Sequence, residues 1–140
     1  MGLMNARKLK KNRKSQRMND KVYRKKKLEI TVKYDPLGRS AQAKGIVTGK
    51  TQKEAKQPNS AMRKCCRVQL VKNGKMVTCF IPGNLAQKFI DEHDEVLIER
   101  INGKQGRTMG DLSGVRFAVI KVNDQPLHRL WKGKIEKGRR

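Results

Sequence analysis

At 140 residues the chain has room for one modest domain and not comfortably two. Its 35 lysines and arginines face only 12 acids, and a lone globule with the resulting net charge of +23 would repel itself without a polyanion, most commonly nucleic acid. An ordinary solvated surface does not carry such an imbalance, no stretch reaches the apolar length of a membrane span, and the basic N-terminus lacks the apolar stretch of a secretory signal.

Residues 1–33 carry Arg7, Lys8, Lys10, Lys11, Arg13, Lys14, Arg17, Lys21, Arg24, Lys25, Lys26, Lys27 and Lys33 against Asp20 and Glu29 alone. Leu3, Ala6, Leu9 and Met18 are too few to bury a helix face. The segment reads as a long basic extension, partly helical or disordered when free, that orders against RNA. A merely solvated tail would leave Leu9, Val22 and Tyr23 without a purpose.

Residues 34–125 have the pattern of a folded, mainly β domain. Short β-like runs at Gly45–Val47, Cys65–Val71, Met76–Ile81, Glu95–Ile101 and Val115–Val122 are separated by turn signals. Lys72-Asn73-Gly74-Lys75 carries the Asn-Gly step of a tight hairpin. Val68 and Leu70, grouped with Met76, Thr78 and Phe80, alternate with the set Arg67, Gln69, Val71, Val77, Cys79 and Ile81. One helical segment, Leu85 to Glu92, is expected to turn Leu85 and Phe89, with Ala86 and Ile90 beside them, toward one side. Several short strands with one connecting helix suggest a small closed barrel of the OB type, although an SH3-like barrel would give much the same pattern. Residues 126–140 form a short basic tail bearing Arg129, Lys132, Lys134, Lys137, Arg139 and Arg140.

Cys65, Cys66 and Cys79 are an odd number, two of them adjacent, with no CxxC pair, and they read as reduced intracellular thiols packed inside strands. His93 and His128 stand too far apart to complete a zinc site, so neither metal nor cofactor is expected. The acidic run around His93-Asp94-Glu95, with Asp91 and Glu92, could suggest catalysis. Consecutive residues point in different directions, however, and the run reads as a solvated helix end before a strand. Gly103, Gly106 and Gly110 lack the Lys-Ser/Thr of a phosphate-binding loop and read as turns.

Two loops carry more specific chemistry. In Lys56-Gln57-Pro58-Asn59-Ser60, proline stiffens the backbone and biases Gln57 toward an extended shape, while Asn59 and Ser60 offer short donors and acceptors suited to 2′-hydroxyls. Lys56, Arg63 and Lys64 flank them with charge for phosphates. The second loop contains Asp111, Leu112, Ser113, Gly114, Val115 and Arg116. Asp111, an acid in a cationic surround, is expected to pair with Arg116 or a lysine and pin that loop.

The segment Lys56-Gln57-Pro58-Asn59-Ser60-Ala61 followed by Arg63-Lys64-Cys65 resembles the signature loop of the universal small-subunit ribosomal proteins numbered twelve, or twenty-three in eukaryotes. Gly110-Asp111-Leu112-Ser113-Gly114-Val115-Arg116-Phe117 is similar to the family's other conserved loop, with Ser113 where relatives usually carry proline. Ala43-Lys44-Gly45-Ile46-Val47, Arg67-Val68-Gln69-Leu70, Asp94-Glu95-Val96-Leu97 and Ala6-Arg7-Lys8-Leu9 extend the likeness along nearly the whole chain in the right order. The long arm and Gln57 look like the archaeal–eukaryotic branch. The resemblance implies an OB-like barrel at the decoding centre of a cytoplasmic small subunit and an arm buried in its RNA. It also implies contacts with other ribosomal proteins and transient ones with tRNA–mRNA and an elongation factor, and no enzymatic activity. Pro58, Asn59 and Ser60 would lie beside the codon–anticodon minor groove, and Pro58 is a position hydroxylated in some relatives. Candidate RNA-binding cations are Arg7, Lys8, Lys10, Lys11, Arg13, Lys14, Arg17, Arg24, Lys25, Arg63, Lys64, Lys132 and Lys134. Three rivals predict differently. A free-standing RNA chaperone would show stacking aromatics, a nuclease would need divalent metal, and a chromatin protein would bind duplex DNA as well as RNA.

Overall fold

The structure, a computed structural model, describes residues 2–103 and 106–138. The chain divides into two compact units, Met1–Arg39 and Ser40–Arg140.

In the first unit, α1 (Asn5–Asn19), α2 (Lys21–Lys27) and α3 (Ile30–Tyr34) bury no residue at all. Lysine and arginine are good helix formers, and no proline or glycine interrupts these segments. Asp20 separates α1 from α2, and its carboxylate caps α2 by accepting the Val22 N–H at 2.9 Å. The four cations Arg24–Lys27 close α2 at the end where the helix dipole favours positive charge. Glu29 stands in the left-handed region at φ 49° and breaks α2 from α3.

The second unit is built on a six-stranded sheet: β1 (Gln42–Glu54), β2 (Met62–Leu70), β3 (Met76–Phe80), β4 (Glu95–Arg100), β5 (Phe117–Val122) and β6 (Gln125–Pro126). Its order is β3-β2-β1-β4-β5-β6, antiparallel throughout, and β3 also pairs with β5 in parallel at Cys79–Phe117 and Phe80–Ala118. Each of β1 to β5 therefore has neighbours on both edges. The interior is apolar: Val47, Cys66, Val68, Leu70, Cys79, Val96, Ile98, Val119 and Val122 are at most 1% exposed. Gly45 is required inside β1, because a Cβ there would stand 2.4 Å from Val68 Cγ1 and 2.8 Å from the Gln69 carbonyl oxygen.

Two irregularities set the faces. Register jumps at Val47/Gly49 in β1, leaving Thr48 as the extra residue, so the strand changes which of its residues pair with a given face of β2. A second shift opposite Leu97/Ile98 makes Ile120 the extra residue of β5. That is why Val119 and Val122, three apart rather than two, are both buried.

The hairpin forms at Lys72–Lys75 as its Asn-Gly step predicts, with Gly74 at φ 66° and the Asn73 side chain accepting the Lys75 N–H at 3.2 Å. The phase of β3 differs from expectation. Val68 faces Val77 and Cys66 faces Cys79, so Val77, Cys79 and Ile81 are the buried set, while Met76 is exposed. Partners across a ladder share a face, and the turn length decides which they are. The helical segment is also shorter than expected. It is a single 3-10 turn, Ala86–Phe89, with Ala86 and Ile90 buried and Leu85 61% exposed at φ 59°.

After β6 comes α4 (Leu127–Trp131), whose Leu127 and Leu130 are buried one helical turn apart. The start of the basic tail thus packs into the domain, because two leucines at helical spacing bury more favourably than they hydrate. Lys137 pairs with Asp91 and Asp94, both at 2.6 Å. The Gln125 carboxamide accepts the Gly138 N–H at 2.7 Å. Arg139 and Arg140 lie outside the described residues.

Candidate nucleic-acid interface

The first loop leaves the end of β1 and returns into β2 as a closed turn. The Ala55 N–H donates to the Ala61 carbonyl and the Asn59 N–H to the Lys56 carbonyl, each at 2.9 Å. The Gln57–Pro58 peptide is cis. Lys56, Gln57, Pro58, Asn59 and Ser60 are all exposed, so small polar groups and one cation stand at the surface on a turn closed by these two bonds.

The second loop is anchored from beneath. Leu112 and Val115 are fully buried against Cys65, with Met109 and Phe80 packed around them. This explains why the adjacent Cys65 and Cys66 are both buried although neighbours on a strand face opposite ways. Cys66 faces the interior, and Cys65 faces the other side of β2, which the second loop covers. Ser113, Gly114 and Arg116 remain exposed, and Gly114 takes φ 78°. Lys53, on β1 beyond the bulge, donates from its ammonium to the Ser113 carbonyl.

Asp111 joins the two loops. Its carboxylate accepts from Arg63 Nη2 at 2.8 Å, Arg63 Nε at 3.2 Å and Asn59 Nδ2 at 3.4 Å, and its carbonyl accepts the Lys56 N–H at 2.9 Å. The Arg63 guanidinium holds the Asp111 carboxyl below the ordinary carboxylate range, and Asn59 adds to the effect. The expected pairing of Asp111 with Arg116 or a lysine is therefore corrected. Its partner is Arg63 across the cleft between the loops, because β2 places that side chain on the face the second loop covers. Sequence reasoning had no means to single out Lys53, whose role depends on the phase change at Thr48.

The remaining candidates are spread over the surface. Arg7, Lys8, Lys10, Lys11, Arg13, Lys14 and Arg17 are exposed on α1, and Arg24 and Lys25 on α2. The Arg17 guanidinium lies 4.3 Å from the centroid of the Tyr23 ring. Lys64 is exposed on β2, and Lys132 and Lys134 are exposed just after α4.

The acidic run has a structural occupation. Asp94 accepts the Asp91 N–H at 2.8 Å and the Asn123 carboxamide at 3.0 Å, and both aspartates hold Lys137. Lys50 adds a second cation to Asp91 at 3.1 Å. The Lys137 and Lys50 ammoniums lower the Asp91 carboxyl; for Asp94, partial burial acts upward and is outweighed by Lys137 and its hydrogen bonds. Among the described residues no three His, Cys, Asp or Glu side chains are grouped to hold a metal, and no helix is long and apolar enough to cross a membrane. Burial pushes the Cys66 thiol up to about 12, and it pushes Cys65 and Cys79 up as well.

Cationic helices, two bonded polar loops and an apolar β platform together suit a protein built against structured RNA. A family model described as ribosomal protein S12/S23 matches residues 30–140, which takes in both loops, the whole sheet and α4. The chain belongs to the ribosomal protein S12/S23 family, structural proteins of the small ribosomal subunit that bind ribosomal RNA and other ribosomal proteins.

Proposed function

We propose that the two loops form one RNA-facing tip at the decoding centre, where the chain supports accurate codon–anticodon selection by binding alone. The observation that carries this reading is the shared partner: Asp111 bonds Arg63 and Asn59 of the first loop, so the exposed Lys56–Ser60 segment is braced by the second. Hydroxyl and amide groups at Asn59 and Ser60 can bridge 2′-hydroxyls without reading base identity, which codon-independent inspection requires. Lys56, Arg63, Lys64 and Arg116 hold the tip against phosphates.

The ring of pairings through β1–β5 supports a small OB-fold-like barrel as the platform. Residues 1–33 serve as the arm that threads ribosomal RNA, residues 34–125 carry the barrel and loops, and the basic residues of 126–140 extend the RNA contact. Pro58 is exposed and open to hydroxylation. tRNA–mRNA and an elongation factor are transient partners, and the setting is the cytoplasmic ribosome. No cofactor, metal or chemical step is involved. Cognate pairing lets RNA and protein close together, and a difference of about 1.4 kcal/mol shifts that equilibrium tenfold.

Ser60→Ala, Gln57→Arg and Asp111→Asn are expected to change near-cognate and stop-codon readthrough several-fold while small-subunit levels stay normal. Unchanged accuracy reporters in all three would remove the decoding role and leave a purely structural constituent.

A further inference from the structure

Beside the first loop, sharing Arg63 and Lys64 with the tip just described, lies a hollow of about 650 Å³ between β2 and the 3-10 turn. Its apolar surface comes from Met62, Phe80, Ile81, Leu85 and Ala86, and no acid lines it. Two of these side chains are conspicuously uncovered, Met62 at 54% and Leu85 at 61% exposure. Leu85 also holds the left-handed conformation at φ 59°, which a branched L side chain adopts against its own preference. An exposed leucine in a disfavoured backbone state gains nothing for the isolated domain, and such outliers persist where a partner uses them.

The charge around the hollow selects the partner. Of its four cations, Arg63 is engaged by Asp111 and Lys50 by Asp91. Lys64 and Lys88 are exposed and form no ion pair among the described residues. An apolar floor bounded by two lysines that no acid neutralises suits a group with one flat apolar face and an anionic backbone. We infer that this hollow receives an unpaired ribosomal RNA nucleotide, its base laid on Leu85 and Met62 and its phosphates on Lys64 and Lys88. A neighbouring protein's apolar side chain would find the floor but leave both lysines without a counter-charge. The inference requires only that the chain binds ribosomal RNA, so it stands or falls separately from the decoding role.

The test uses assembled small subunits carrying a photo-reactive phenylalanine analogue at Leu85. Crosslinking to one single-stranded position of the ribosomal RNA is expected, whereas crosslinks to protein only, or none, would overturn the assignment. Leu85→Gly supplies a second arm, because glycine suits the backbone but removes the apolar contact. The full-length chain should melt at a higher temperature, and the crosslinked nucleotide should gain several-fold reactivity toward chemical probes in the assembled subunit. Lys64→Gln with Lys88→Gln should expose the same nucleotide. Unchanged reactivity in both variants would count against the site even if the crosslink were found.

Discussion

The helices of residues 2–34 bury no side chain, whereas the sheet of residues 42–126 encloses Val47, Val68, Val96 and Ile98 completely. Along α1, like charges recur at Arg7, Lys10, Lys11 and Lys14, three and four residues apart, where each pair costs a few tenths of a kcal/mol. Local propensity, the Asp20 cap, the cations at the end of α2 and the Arg17–Tyr23 contact work for these helices in the absence of an anion. The second unit draws on apolar burial and ladder bonds that its own chain supplies. One protein thus contains a region that buries nothing of its own and a region held by its own apolar interior.

The largest contrast is expected from Leu130→Ala. It removes a fully buried side chain of α4 and should cost the second unit about 2–5 kcal/mol, read as a shift in its urea midpoint, while RNA-induced helicity of the first unit stays unchanged. Replacing Arg7, Lys10, Lys11 and Lys14 together by glutamine should do the reverse. Thermal stability of the β domain is kept, while the slope of log affinity for ribosomal RNA against log salt falls by roughly 0.7–0.9 per removed contact, measured by filter binding. Far-ultraviolet dichroism should also show helicity rising when RNA is added to the native chain and far less in this variant.

A smaller effect is expected at the joint between the loops. Because the Asp111 carboxyl is held below its ordinary value of 3.8, its contribution is present above that pH. It is lost as pH falls below about 3.8 toward the folded-state value. Amide exchange at Lys56 and Asn59 should therefore accelerate relative to the strands on acidification, and Asp111→Asn should show the faster exchange already at neutral pH. Equal exchange in the variant and the native chain would mean that Leu112 and Val115 alone hold the second loop. The smallest effect concerns the thiols. Cys66, pushed up to about 12 by burial, should react with alkylating reagents only through opening of the β domain, so its rate should rise in Leu130→Ala and not in the arm variant.

Features formed by neighbours in sequence were legible from the start: the cationic N-terminal segment, five strand cores and the Asn73-Gly74 hairpin. The first polar loop also stood out, because proline, short polar residues and flanking cations lie side by side in it. Other features depended on the whole chain. Asp111 finds Arg63 at a separation of 48 residues, and Lys53 reaches Ser113 across 60. The bulges at Thr48 and Ile120 decide which alternating residues turn inward, and nothing in the residue types marks them. Cys65 and Cys66 read equally as core residues, yet only the covering loop explains how adjacent residues are both buried. Leu85 reads as a core leucine from periodicity, and a left-handed backbone turned it outward. Propensity, turn chemistry and charge act over a few residues and can be read in order. Register, strand closure and ion-pair choice are settled by which distant surfaces meet, and only the tertiary structure decides that.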